Sequence, residues 1–251
     1  MKKILQISII TLLLFSMGLI FAGFSLKIDE LSFGELPTHE KWNTLLKKHV
    51  AVNGDVDYKS FNADSDTLNN YLKHLAQNPP AKNWTKNEKL TYYINLYNAG
   101  TVKLILDNYP LKSIKDINSP WGKKRILIGE KKISLGDLEH KILRKMNEPR
   151  IHFAINCASY SCPKLLNKAF TAKNLDKQLT AATRGFIFDM TKNEISTNKA
   201  IQLSKIFKWY KSDFTNNGSL IDYLNRFLED KISENTKIEF LDYNWSLNEA
   251  K

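Results

Sequence analysis

The chain has 251 residues, 43% of them hydrophobic and 25% charged, with 37 Lys and Arg against 26 Asp and Glu for a formal net charge of +11. That length and apolar content suffice for one domain with a proper core. The positive charge favours anionic surfaces in general. Its carriers are scattered, however, densest at Lys123, Lys124, Arg125, Lys131 and Lys132. With no nucleic-acid motif beside them, the composition speaks for a solvated surface and against a nucleic-acid binder.

Residues 1–25 form a separate segment. Met1-Lys2-Lys3 is followed by Ile4 to Phe24, an uncharged run whose polar side chains are Gln6, Ser8, Thr11 and Ser16. A basic start, a long apolar run and the small-x-small step Gly23-Phe24-Ser25 predict a secretory signal. Because about 20 apolar residues span a bilayer, the alternative is an uncleaved N-terminal anchor. Either reading exports the folded part to the periplasm or the cell exterior and confines membrane contact to this segment. Without Lys2 and Lys3, 35 basic residues remain against 26 acidic ones, a net of +9. An acidic envelope component is therefore the expected kind of partner.

Residues 26–54 read as a leader and a helix. Pro37-Thr38 opens that helix, and Trp42, Leu45, Leu46 and Val50 follow its 3.6-residue period. Gly54 to Phe61 reads as a short extended segment. A helix is predicted from Asp66 to Gln77, with Leu68, Tyr71, Leu72 and Leu75 inward and Pro79-Pro80 as the stop. Thr85-Lys86-Asn87-Glu88 has the form of a capping box. The helix it starts runs to Leu106 and is apolar all round, which predicts a central, buried position. Asn95 and Asn98 on it are substrate-binding candidates, or ties to neighbouring backbone, since a buried amide must be bonded.

Alternation on both sides of Gly129-Glu130 predicts a hairpin over residues 125–135. Ser134 to Asp137 resembles a second capping box, opening a helix from Leu135 to Met146. Helical spacing brings Asp137, His140 and Arg144 together, so that Asp137 is placed to orient the His140 ring and Glu139 points elsewhere. Further helices are expected from Thr171 to Phe188, from Ser204 to Asp213 and from Ser219 to Phe227. Short strands are expected at 194–197, 200–203 and 237–241. The pattern as a whole predicts an α+β fold: a helix-rich single domain with a small antiparallel sheet.

Arg150 to Pro163 is the stretch richest in chemistry, since it holds both cysteines and His152. Ile151, Phe153 and Ile155 alternate with His152, Ala154 and Asn156, which predicts a strand delivering Asn156 and Cys157 to a turn. Cys157 and Cys162, five residues apart, are either a disulfide in an exported protein or a reactive thiol and its neighbour. A metal site from His140, His152, Cys157 and Cys162 is the weakest reading, because Cys-x4-Cys lies at the edge of zinc spacings. No metal or cofactor is expected.

The ordered motifs Tyr93-Ile94-Asn95-Leu96-Tyr97-Asn98-Ala99, Leu138-Glu139-His140 with Leu143-Arg144, Arg150 to Pro163, Leu203 to Tyr210 with Asp213-Phe214, and Tyr243 to Asn248 together resemble the domain of unknown function 547 family. The resemblance spans residues 55–248 and brings no settled activity. Some members of that family carry Ser-Ser-Pro where this chain has Ser161-Cys162-Pro163. The resemblance thereby implies that a disulfide is optional for the fold and that Cys157 is the functional cysteine.

The residues support two classes of function. In the first, a cysteine-dependent hydrolase or transferase acts on an amide or ester. Cys157 is the nucleophile, His140 the base oriented by Asp137 or Glu139, and His152 the reserve base. Asn156, Asn95 or Asn98 would be oxyanion donors, and Arg144 a substrate contact. In the second, the protein is a non-catalytic envelope binding module with both cysteines structural.

Overall fold

The computed structural model describes residues 36–195 and 200–250. The expected signal or anchor, the leader up to residue 35 and the last part of the strand expected at 194–197 lie outside those residues. Helix α1, Glu40–His49, buries Trp42, Leu45 and Leu46 on the stripe its period predicts. Residues 54–61 are extended only at Val56, which bridges Val50 and Glu249. Asp57 then accepts from the Ser60 amide and starts a short helix, α2, Tyr58–Phe61. That local cap overrides the extended reading. Helix α3, Ser65–Gln77, buries Leu68, Tyr71 and Leu75 as expected.

The longest helix is α4, Lys86–Leu106. Its capping box closes in both directions, Thr85 to the Glu88 amide and Glu88 back to the Thr85 amide. Fourteen of its residues are buried, on every side of the axis, so α4 is the shaft around which the larger apolar cluster is built. Strands β1, Ile126–Ile128, and β2, Lys131–Ile133, form the predicted antiparallel hairpin with Ile126 opposite Ile133. Gly129 in the turn has φ +57°, a conformation that favours glycine.

Two segments next to the site depart from the sequence reading. The helix expected from Leu135 to Met146 is a π-helical turn, Asp137–Ile142, followed by a 3-10 turn, Leu143–Met146. The strand expected from Ile151 to Asn156 is a 3-10 helix, Pro149–Phe153, and then irregular chain. Pro149 at the first helical position and the Glu148 carboxylate on the Arg150 amide start that turn. The alternation does not mark a strand, because residues 151 to 156 are buried on both sides of the chain.

The C-terminal part supplies a second apolar cluster. Helix α5, Leu175–Ile187, and strand β3, Ile201–Leu203, contribute to it. So does the helix expected over 204–213, which breaks at Tyr210 into α6, Lys205–Trp209, and α7, Lys211–Phe214. Helix α8 is Leu220–Asn225, and β4, Ile238–Phe240, pairs with β3 in parallel. The fold is thus helix-rich α+β, with one antiparallel and one parallel two-stranded sheet. Phe153 belongs to the second cluster while Ile151, Ala154 and Ile155 belong to the first. The cysteine-bearing stretch therefore runs along the seam between them.

Candidate functional site

Asn98 and Asn156 hold that stretch in shape, and Asn95 ties α4 to the chain just beyond it. On α4, Asn95 donates to the Phe170 carbonyl at 2.9 Å and accepts from the Phe170 amide at 3.1 Å. One turn on, Asn98 donates to the Ala154 carbonyl at 2.9 Å and accepts from the Asn156 amide at 2.8 Å. Asn156 in turn donates to the Pro163 carbonyl at 2.7 Å and accepts from the Ala158 amide at 2.8 Å. Each amide has both ends on backbone, which is how an irregular buried chain keeps its polar groups bonded. Ala158 is held at φ +56°, and this bend presents Cys157 at the end of the braced segment.

The Cys157 side chain lines a cavity of about 290 Å³. Its Sγ lies 2.7 Å from Cys162 Sγ, 3.2 Å from Ser159 Oγ and 3.3 Å from the Tyr243 hydroxyl. Both cysteines are free thiols. The two sulfurs are inside van der Waals contact and well beyond the roughly 2.05 Å of a disulfide. Contact with Cys162, and then the Ser159 and Tyr243 hydroxyls, lower the Cys157 pKa against the opposing effect of burial. Burial and the neighbouring sulfur push Cys162 up. The pair is therefore asymmetric, with Cys157 the thiolate-forming member.

His152 lines the same cavity and is 2% exposed. Its Nε2 lies 2.8 Å from Asp213 Oδ2, and its ring stacks on Tyr210 at 3.9 Å. Asp213 is gripped from the other side by Arg144, whose Nε and Nη2 each donate at 2.7 Å. Because a carboxylate only accepts, Nε2 carries the ring proton and Nδ1 presents a bare lone pair. That nitrogen is buried and has no hydrogen-bond partner. Burial lowers the His152 pKa against the pull of Asp213, so the ring is neutral near pH 7. Asp213 is held well below the usual carboxylate range, burial being outweighed by its bonds to Arg144 and His152.

The third polar wall is Glu139, 5% exposed. Its Oε2 accepts from the Tyr97 hydroxyl at 3.2 Å, and its Oε1 is buried without a hydrogen-bond partner. Ordinary helical spacing turns Glu139 away from this side. The π-turn widens the helix to about 4.4 residues per turn, so angular positions counted at 3.6 are wrong here. The same turn leaves Asp137 accepting from the Ser134 amide and paired with Lys141 at 2.6 Å. Asp137 is thus committed to capping and to an exposed ion pair, and does not orient His140. His140 stands at the rim, exposed, with Arg144 Nη1 donating to its Nδ1 at 3.3 Å and Glu139 Oε1 at 3.9 Å.

The structure thus brings Cys157, His152, Glu139 and His140 to one cavity, whereas Asn95, Asn98 and Asn156 brace the chain behind it and Arg144 reaches Asp213. Among the described residues no imidazole hydrogen-bonds to Cys157 Sγ, and no group of three His, Cys, Asp or Glu is arranged to hold a metal ion. Sequence reasoning gave no role to Asp213, Tyr210 or Tyr243. The partnership of Asp213 with His152 spans 61 residues and leaves no local signal.

A half-buried thiol, a neutral imidazole and a carboxylate in one aromatic-walled cavity, on a helix-rich α+β scaffold, define a cysteine-centred pocket protein. Residues 81–187 match the family described as "Protein of unknown function, DUF547", and that part of the chain is similar to it. The match lies within the 55–248 span of the expected resemblance and takes in Glu139, His152 and both cysteines, while Asp213 and Tyr243 fall beyond it. No curated protein matches the chain, and no solved structure does.

Proposed function

We propose that the protein is a cysteine-dependent hydrolase or transferase acting on an amide or ester carbonyl, with Cys157 as nucleophile, His152 as base and Asp213 as the residue that orients the base. One observation carries the reading: His152, which lines the same cavity as Cys157, donates from Nε2 to Asp213 and keeps a buried Nδ1 without a partner. Sγ attacks the carbonyl carbon, its proton passes to Nδ1, and the imidazolium formed is stabilised by Asp213. The proton then goes to the leaving amine or alcohol. A thioester stays on Cys157 until water, or a second nucleophile in a transferase, removes the acyl group. The transfer needs Sγ within about 3–4 Å of Nδ1, and such contacts are commonly longer before substrate binds. Tyr243, whose hydroxyl touches Sγ, is the donor nearest the developing negative charge. His140, at the rim and bonded to Arg144, is the less suited base.

The test is alkylation of the reduced protein with iodoacetamide, together with release of a chromogenic leaving group from an activated ester. Rapid, single-site labelling of Cys157 and a burst that Cys157→Ala abolishes are expected. A Cys157 no faster than an ordinary exposed thiol sinks the reading. The 2.7 Å approach of the two sulfurs favours a second reading, in which an exported form carries a Cys157 to Cys162 disulfide and acts as a non-catalytic envelope binding module. Intact mass before and after alkylation separates the two, since a quantitative disulfide leaves no thiol to react.

A further inference from the structure

Among the described residues, the buried, unfilled hydrogen-bonding capacity of the cavity is one-sided. Its two buried polar atoms without partners are Glu139 Oε1 and His152 Nδ1, and both accept. His140 does not relieve Glu139. Its Nδ1, the atom 3.9 Å from Oε1, receives a proton donor from Arg144 and so has none to give. Arg144 itself is engaged with Asp213 through two nitrogens. Glu139 is therefore a buried carboxylate that the Tyr97 and Tyr210 hydroxyls approach but to which no cation is hydrogen-bonded, in a chain whose net charge is +11.

The remaining wall is aromatic. Trp121, Trp209, Trp245, Tyr210 and Tyr243 face the cavity. Trp209 stacks on Trp245 at 5.8 Å, and Tyr243 lies 4.5 Å from Trp245. The faces of such rings carry negative potential and attract cations, most strongly once water is excluded. Burial of an acceptor without a partner is costly, more so when it is charged, so the site gains most from a ligand that brings both N–H donors and positive charge.

We infer that the cavity takes the alkylammonium group of its ligand, with Glu139 as counter-ion and the tryptophan and tyrosine faces as walls. This deepens the hydrolase or transferase reading by assigning the substrate class, an ester or amide bearing a primary amine. It rests on that reading only for the claim that the ligand is a substrate. A carboxylate-bearing ligand would face Glu139 with like charge.

The probes are n-butylammonium, butyrate and n-pentanol, read by the emission of the cavity tryptophans in the full chain and by protection of Cys157 from iodoacetamide. Butylammonium is expected to bind at least about ten-fold more tightly than either comparator and to slow alkylation. Glu139→Gln should remove that preference while leaving n-pentanol binding unchanged. Equal binding of butyrate and butylammonium, or an unchanged preference in Glu139→Gln, overturns the inference. Should that variant not fold, the three-probe comparison on the unaltered protein decides alone. Ammonium binding beside an inert Cys157 ends the nucleophile and keeps the ammonium site. Fast alkylation without ammonium preference does the reverse.

Discussion

Two sets of buried polar side chains meet at the seam between the apolar clusters, and they are finished to different degrees. Asn95, Asn98 and Asn156 lie behind the cavity, and every one of their amide ends is bonded to backbone. Glu139 and His152 lie on its wall, and each keeps one buried atom unbonded. Evolution of a stable core removes unpaired polar groups, because each costs about 1–3 kcal/mol. Complete bonding therefore marks the groups that hold the chain. Incomplete bonding inside a cavity marks the groups held ready for something else.

The contrast can be broken by mutation. The largest stability effect is expected for Asn98→Ala, which leaves the Ala154 carbonyl and the Asn156 amide unpaired; a loss of about 3 kcal/mol should appear in urea unfolding. Glu139→Gln keeps an oxygen for Tyr97 and should stay within about 1 kcal/mol of the unaltered protein. If the two variants lost stability equally, the distinction between holding and waiting groups would fail.

Asp213→Asn sharpens the catalytic side. An amide at 213 can donate to His152 Nε2, so the ring proton moves to Nδ1 and the base is lost. Acylation by an activated ester should fall by about 100-fold or more, with stability reduced by about 2 kcal/mol through the weakened Arg144 pairing. Tyr243→Phe removes a hydrogen bond that lowers the Cys157 pKa. The midpoint of the alkylation-rate profile should move to higher pH, with a several-fold slower rate at pH 7. His140→Gln is expected to change that rate by less than about two-fold, because the proposed base is His152.

Acid titration separates the same groups. The pKa of His152 in the folded protein lies below its ordinary value because of burial, so the unfolded chain binds that proton first. Its contribution is complete above about pH 6.5 and is lost as pH falls through that value. His39, lowered to about 4 by burial and by His74, acts with the same sign. Asp213 is also depressed, chiefly by Arg144 and His152 against burial; its stabilisation is complete above about pH 4 and lost below. The urea midpoint should therefore decline in two stages as pH is lowered. Asp213→Asn should flatten the lower one, and a profile without that change would contradict the ion-pair geometry.

Much of the scaffold was legible locally. The capping box at Thr85, the all-round apolar surface of α4, the Leu68, Tyr71 and Leu75 stripe of α3 and the Gly129 hairpin are each determined by residues within a few positions of one another. Cys157 and His152 stood out by type and position. The direction of Glu139 is not legible in the sequence, because a π-turn does not keep the 3.6-residue angle of an ordinary helix. The strand at 151–156 was misread because period two identifies a strand only when one face is exposed, and here both faces are buried.

The sequence by itself determined the helix-rich class, the central helix and the cysteine-bearing stretch, since these follow from short-range periodicity, capping and composition. Only the tertiary structure decided that Asp213, 61 residues beyond His152, orients that ring, that Tyr243 reaches Cys157 across 86 residues, and that Glu139 turns into the cavity. Those contacts arise where two apolar clusters close on one seam. Hydrogen bonding across such distances depends on where packed elements come to rest, which neighbouring residues do not encode.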